Sequence, residues 1–303
     1  MQNLHELPKL RDSLSYHYIE HAIIDKKQQA IEYVKKNGRT LIPTANLSVL
    51  MLGPGTSITH AAVNILARSG CSILWLGQEA TRFYAQGTGE TRKATRLLRQ
   101  AELVSDPAKR IQVVINMYRH RFNTTLPDDL TLPQIRGKEG VRVRQAYAQA
   151  SKKHGVPWHG RKYNRGSWST TDPINRALSA ANALLNGICH AAIVSGGYSP
   201  GLGFIHNGKQ LSFVYDIADL YKVELTIPTA FATVAKSTDK IESRVRTACR
   251  QSFKNAKLLK RILPDIDELL NIPDIDAHPI EPKGDIDADP ALPTHYWDQI
   301  ENS

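Results

Sequence analysis

The sequence predicts an α+β protein: a β-rich N-terminal domain over residues 1–88, a larger all-α domain over 89–270 and a flexible acidic tail over 271–303. Three observations predict it. Short apolar runs separated by turn residues fill the first 87 residues, and helical periodicity replaces them from Thr91 to about Leu270. Beyond Leu270 come Pro273, Pro279, Pro282, Pro290 and Pro293 among aspartates, a composition that buries too little surface to offset the entropy of ordering.

In chain order, strands are expected at Ser15–Ile24, Gln29–Tyr33, Thr40–Pro43, Leu47–Leu52, Cys71–Leu76 and Arg82–Ala85. Asn37-Gly38 signals a hairpin, because both residues tolerate positive φ. One helix interrupts the strands from about Ile58 to Arg68, capped by Thr56 or Ser57 and stopped by Gly70, with Ala61, Ala62, Ile65 and Leu66 as its apolar side. Gly87-Thr88-Gly89 reads as a linker. In the helical part, Asp172-Pro173 supplies a cap acceptor followed by a proline whose missing N–H does no harm there, and Gly196-Gly197 ends that helix. Tyr296 and Trp297 are candidate anchors for the end of the tail.

Charge is distributed unevenly. Residues 1–263 hold 38 Lys and Arg against 18 Asp and Glu, a net of +20, whereas residues 264–303 hold Lys283 against 11 acids. A body this basic attracts a polyanion and releases counterions from a nucleic-acid backbone. No stretch is expected to reach the roughly 20 apolar residues of a membrane span. The first ten residues, with Gln2, Asn3 and Glu6, carry no secretion signal, so the cytoplasm is the expected compartment. Cys71, Cys189 and Cys249 are widely spaced, which argues against disulfides or a zinc site and for reduced core residues.

Asp216 and Asp219 lie three residues apart in Ser212–Lys222 and share a helix face, with Phe213, Ile217 and Leu220 as the opposing apolar stripe. Neighbouring carboxylates repel each other unless a cation lies between them; a solvated acidic face is the commoner arrangement for such a pair alone. Glu139 falls on the stripe of Ile135, Val143 and Ala146, which points its carboxylate inward, toward a cation or into a salt bridge with Arg136 or Arg142. His206 follows Gly201-Leu202-Gly203 and precedes the Asp216 helix, a position from which a loop can aim its imidazole at the same point; a lone histidine is more commonly an ordinary loop or core residue. Two or three carboxylates with one imidazole suit Mg²⁺ or Mn²⁺ better than zinc, and such a cation polarises a phosphoryl group for in-line displacement by a hydroxyl. No Ser/His/Asp order, P-loop or dinucleotide fingerprint occurs in the sequence. Metal-assisted phosphoester chemistry remains, as DNA joining or as hydrolysis by a structure-specific nuclease; a non-catalytic DNA-binding scaffold is the third reading.

The runs Arg136-Gly137-Lys138-Glu139-Gly140, Gly203 to Lys209 and Leu211 to Asp219 closely resemble the CRISPR-associated integrase of type I-E spacer-acquisition systems. The likeness extends from Leu10 to about Leu270, through Arg11-Asp12-Ser13, Gly53-Pro54-Gly55-Thr56, Arg161-Lys162-Tyr163 and Gly197-Tyr198. The resemblance implies an enzyme that joins the 3′-OH ends of a short double-stranded prespacer DNA with 3′ overhangs to the CRISPR repeat, and that also acts as an endonuclease. It implies a homodimer, with the N-terminal domain serving dimerisation and DNA-end contact, and assembly of two such dimers around a dimer of a small ferredoxin-like partner. By the same resemblance Glu139, His206 and Asp219 are metal ligands, and Asp216 is a second required acid. Arg82, Arg136, Tyr163, Trp168, Lys209, Tyr215 and Lys222 become candidates for contacting DNA or shaping the site. Tyr215 and Trp168 are alternatively core aromatics, and Arg82 a partner of Glu79. The sequence departs from the type I-E pattern at His21 and Asn186, each of which replaces a tyrosine; a histidine still stacks on a base.

Overall fold

The computed structural model describes residues 15–35, 38–77, 83–87, 94–122, 126–127, 129–161 and 172–271. Thr88 and Gly89 of the expected Gly87-Thr88-Gly89 linker, Arg82, Tyr163, Trp168 and the tail beyond Asn271 lie outside these residues. The protein is α+β, a β-rich region followed by helices.

Among the described residues, eight strands form two sheets. In the first, β1 (Ser15–Ile19), β5 (Leu47–Leu52) and β7 (Ser72–Leu76) run parallel, and β8 (Phe83–Gln86) pairs antiparallel with β7. In the second, β2 (Ile23–Lys27), β3 (Ala30–Lys35) and β4 (Gly38–Pro43) form an antiparallel meander, with β6 (Ser57–Ile58) parallel to β2. The expected single strand Ser15–Ile24 is therefore two strands in different sheets. His21 separates them with φ 51°, its N–H donating to the Pro54 carbonyl at 2.9 Å. The hairpin expected at Asn37-Gly38 joins β3 to β4 and closes at Lys35↔Gly38, with Asn37 itself outside the described residues.

The helix α1 (His60–Arg68) starts later than the sequence suggests, because Ser57 and Ile58 are spent on β6; Thr59 is the cap, its side chain accepting from the Ala62 N–H. Ala62, Ile65 and Leu66 are buried, while Ala61 faces solvent. Together with Ile24, Ile31, Leu50 and Leu52 they form the core shared by both sheets.

The helical part comprises α2 (Thr95–Ser105), α3 (Pro107–His120), α4 (Leu132–His154), α5 (Pro173–Ser195), α6 (Ser212–Tyr221), α7 (Ile227–Lys236), α8 (Ile241–Asn255) and α9 (Leu258–Leu269). At its centre is α5, with α6, α7, α8 and α9 packed around it and β7 against its end. A buried hydrogen bond joins Ser72 Oγ to Ser195 Oγ at 2.7 Å. Asp172 caps α5 by accepting from the Asn175 N–H, with Pro173 in its first turn. Its end is a Schellman turn: Gly197 has φ 79°, and the Tyr198 N–H reaches back to the Ile193 carbonyl at 2.9 Å. By length and composition α5 matches a membrane span, which corrects the expectation that no stretch reaches that length. Because 72% of its apolar window is buried inside the fold, it reads as a core helix. All three cysteines are free and buried; burial pushes the Cys189 thiol up and the Cys249 thiol up to about 12.

Candidate active site

The site begins with a loop wrapped around a buried carboxylate. Asp216, in the second turn of α6, is fully buried; its Oδ2 accepts from the N–H groups of Phe204 (2.6 Å) and Ile205 (3.1 Å), and its Oδ1 from the His206 N–H (2.9 Å). The same Oδ1 lies 2.7 Å from His206 Nδ1. An ionised carboxylate only accepts, so in the neutral imidazole Nδ1 carries the proton and Nε2, across the ring, keeps its lone pair. The hydrogen bond to Asp216 holds the His206 pKa above its ordinary value despite partial burial; the Asp219 charge adds to the rise and Lys222 opposes it.

Gly203 allows this wrapping. A Cβ there would stand 2.3 Å from the His206 carbonyl oxygen and 2.7 Å from Ser212 Cβ. Two further side chains secure the loop. Gln100, fully buried on α2, donates to the Ser199 and Leu202 carbonyls and accepts from the Ser199 N–H, and Arg110 on α3 donates twice to the Phe204 carbonyl at 2.9 and 3.0 Å.

Facing outward from α6, Asp219 is half-buried and hydrogen-bonded to Lys222 Nζ at 2.5 Å. Asp216 and Asp219 thus do not form the shared acidic face expected from their spacing: Asp216 turns into the core among Phe213, Ile217 and Leu220, and only Asp219 faces the site. After Tyr221 the helix widens into a π-turn, Lys222–Thr226, ahead of Pro228, which has no N–H to continue α-helical bonding. Glu139 on α4 is buried, as its stripe predicts, and Arg142 grips it with two hydrogen bonds of 2.7 and 2.9 Å. Arg136, the other expected partner, is exposed.

Between Glu139 and Asp219 lies a residue the sequence did not single out. Arg121, at the C-terminal end of α3, is buried with Nη1 3.5 Å from Glu139 Oε1 and Nη2 3.9 Å from Asp219 Oδ2. Among the described residues, no three His, Cys, Asp or Glu side chains converge to metal-ligand distance. The donors nonetheless fit a hard divalent cation in kind: two carboxylates whose present counter-charges are Arg and Lys side chains, and an imidazole whose inner nitrogen is fixed by a buried carboxylate.

Of the candidate DNA-contacting residues, Tyr215 sits edge-on to the His206 ring at 5.9 Å and Lys209 Nζ lies 6.0 Å from the Tyr215 ring, so these two border the site. Lys222 joins it through Asp219. His21 is exposed on the β1–β2 turn, and Asn186 lies on α5 with its Oδ1 buried and without a hydrogen-bond partner. Arg121, Gln100 and Arg110 left no signal in the sequence. Arg121 ends the basic run Arg119-His120-Arg121, which reads as a solvated helix end, and only the packing of α3 against α4 and α6 turns it inward.

Comparison with known proteins shows the family of the chain. The family profile "CRISPR associated protein Cas1" matches residues 16–126 and 121–262. A Thermus thermophilus CRISPR-associated endonuclease Cas1 is 52% identical over 300 residues, covering 98% of this chain and 90% of the relative. The Escherichia coli K12 CRISPR-associated endonuclease Cas1 is 39% identical over 262 residues, covering 86% of each. A crystal structure of a TtCas1–DNA complex superposes with a TM-score of 0.70 at 54% identity, over 88% of this chain and 100% of that one. A casposase bound to integration product shares the fold at 11% identity, with a TM-score of 0.66 over 96% of this chain and 99% of that one. The chain belongs to the Cas1 family of CRISPR-associated proteins.

Proposed function

We propose that this chain is a Mg²⁺- or Mn²⁺-dependent DNA integrase of a type I-E spacer-acquisition system, in which the 3′-OH ends of a prespacer attack the phosphodiester backbone of the CRISPR repeat. The observation that carries the reading is the split between two aspartates: Asp216 is spent on orienting His206, leaving Nε2 of that ring together with Asp219 and Glu139 as donors. Glu139, His206 and Asp219 would hold the cation, which supplies Lewis acidity to a phosphoryl oxygen. Asp216 fixes the ring and tautomer of His206. Arg142 and Lys222 fix the two carboxylates. Lys209 and Tyr215, beside His206, are placed to meet the incoming DNA, and the basic body carries the phosphate-backbone affinity.

The type I-E assignment is supported by the long runs around Glu139, His206 and Asp219 and by the E. coli relative. With it we assign residues 1–88 to dimerisation and DNA-end contact and residues 89–270 to the chemistry, and place the protein in the cytoplasm as a homodimer that joins the small ferredoxin-like partner, two integrase dimers per partner dimer. The relatives' naming as endonucleases favours a second outcome at the same site, hydrolysis with water as the nucleophile. One assay separates the two. Incubation with Mg²⁺, a supercoiled repeat plasmid and short duplexes with 3′ overhangs gives covalently joined product if a DNA hydroxyl attacks, and nicked or linear plasmid alone if water does. Asp219→Ala abolishes either reaction while DNA binding persists; wild-type joining by Asp219→Ala would refute the site.

A further inference from the structure

Among the described residues, three cations face two carboxylates at this site, and they are held very differently. Arg142 makes two hydrogen bonds to Glu139 at 2.7 and 2.9 Å, and Lys222 makes one to Asp219 at 2.5 Å. Arg121 reaches Glu139 and Asp219 at 3.5 and 3.9 Å, and its Nε and Nη2 are buried without a hydrogen-bond partner. Its side chain is only 6% exposed. A guanidinium carries five N–H donors and is costly to bury when they go unused. This one is held by charge and by the Tyr118 ring, whose centroid lies 5.0 Å from it.

The charge balance points the same way. Adding a divalent ion while Arg121, Arg142 and Lys222 all stayed would crowd five positive charges around two carboxylates at low dielectric. One cation must withdraw, and the one without close hydrogen bonds gives way most easily. We propose that Arg121 is the resident counter-cation of this site, filling the space between Glu139 and Asp219 that a divalent ion takes, so that metal binds only by displacing its guanidinium. The proposal rests on the metal-site reading above. It makes Arg121 a positioning residue that holds the metal-free carboxylates in place and lowers the site's metal affinity below that of the bare donor set.

The test is Mn²⁺ binding to the full-length protein without DNA, measured by calorimetry for wild type, Arg121→Gln, Arg121→Lys and Glu139→Gln at one pH and ionic strength. Arg121→Gln is expected to bind Mn²⁺ more tightly, on the order of tenfold, Arg121→Lys to stay near wild type and Glu139→Gln to bind more weakly. A purely structural Arg121 gives a less stable Arg121→Gln with unchanged or weaker Mn²⁺ binding, which would overturn the proposal while Glu139→Gln still reported the site. Unchanged binding by Glu139→Gln would instead sink the metal-site reading. Should Arg121→Gln fail to fold, the wild type decides alone: with ¹⁵N-labelled arginine, the Arg121 Nε–H resonance must shift on titration with Mg²⁺. A resonance unmoved at saturation contradicts displacement.

Discussion

Asp216 and Asp219 differ by three positions on one helix, and the surroundings give them opposite costs of removal. Asp216→Ala leaves three backbone N–H groups, that of Phe204 buried and the other two partly so, and the His206 ring without their acceptor, so stability should fall by about 3 kcal/mol in urea denaturation. Asp219→Ala removes a partly exposed partner of Lys222 and the more distant of the two carboxylates facing Arg121, so it should cost clearly less stability than Asp216→Ala while joining is lost. Equal destabilisation by the two would refute this division. The sequence showed both acids and their spacing, and it placed Glu139 inward correctly. Asp216 stands three residues after Phe213 and four before Leu220, on the apolar stripe and not opposite it, which the expectation of a shared acidic face overlooked; its partners come only from the loop folded over α6. His190 makes a separate residue-scale prediction. Burial in α5 lowers its pKa to about 4 against an ordinary 6.5. The folded state therefore binds fewer protons than the unfolded one between these values. Stability from this residue is full above pH 6.5 and lost as pH falls toward 4, by about 3 kcal/mol in all. His190→Leu should flatten that part of the urea-midpoint profile against pH, and an unchanged slope would disprove the assignment.

At the scale of elements, the loop from Gly197 to Leu211 works as an arm of α6 rather than as a connection, since its backbone donors end on an α6 side chain. Gly203→Ala should push the His206 carbonyl and the start of α6 apart, lowering joining on the order of 100-fold with DNA affinity kept. Wild-type rates in that variant would show that the loop's exact path does not matter. The sequence identified the Gly-rich run and its histidine, but not the Gln100 and Arg110 clamps, which come from α2 and α3 nearly a hundred residues upstream. Elsewhere, legibility followed local chemistry. The Asp172-Pro173 start and Gly196-Gly197 stop of α5 are encoded within a few residues and stood as read. The strand Ser15–Ile24 did not, because the turn at His21 uses a positive φ at a non-glycine position, which a pattern of apolar residues does not reveal.

For the whole molecule, the central fact is a basic body, +20 over residues 1–263, carrying a small site whose carboxylates are held by Arg and Lys side chains. DNA affinity should fall steeply and linearly on a plot of log affinity against log salt concentration; a flat plot would contradict a phosphate-backbone mode. The segment beyond Asn271 holds eight acids against Lys283, so truncation after Asn271 raises the formal net charge from +10 to +17 and should change selection among prespacers more than the rate of joining. Unchanged affinity and selectivity would make the segment a passive extension. The fold class was legible from the whole sequence because the change from short apolar runs between turn residues to helical periodicity is a global signal. The counter-charge at the site was not, because Arg121 reaches Glu139 and Asp219 only through tertiary packing. The most direct measurement of the central claim is the anomalous difference map of crystals soaked in Mn²⁺. The account predicts one peak bounded by Glu139, His206 Nε2 and Asp219, with Asp216 still bonded to the loop amides; a peak ligated by Asp216, or none near these residues at saturating Mn²⁺, would contradict it.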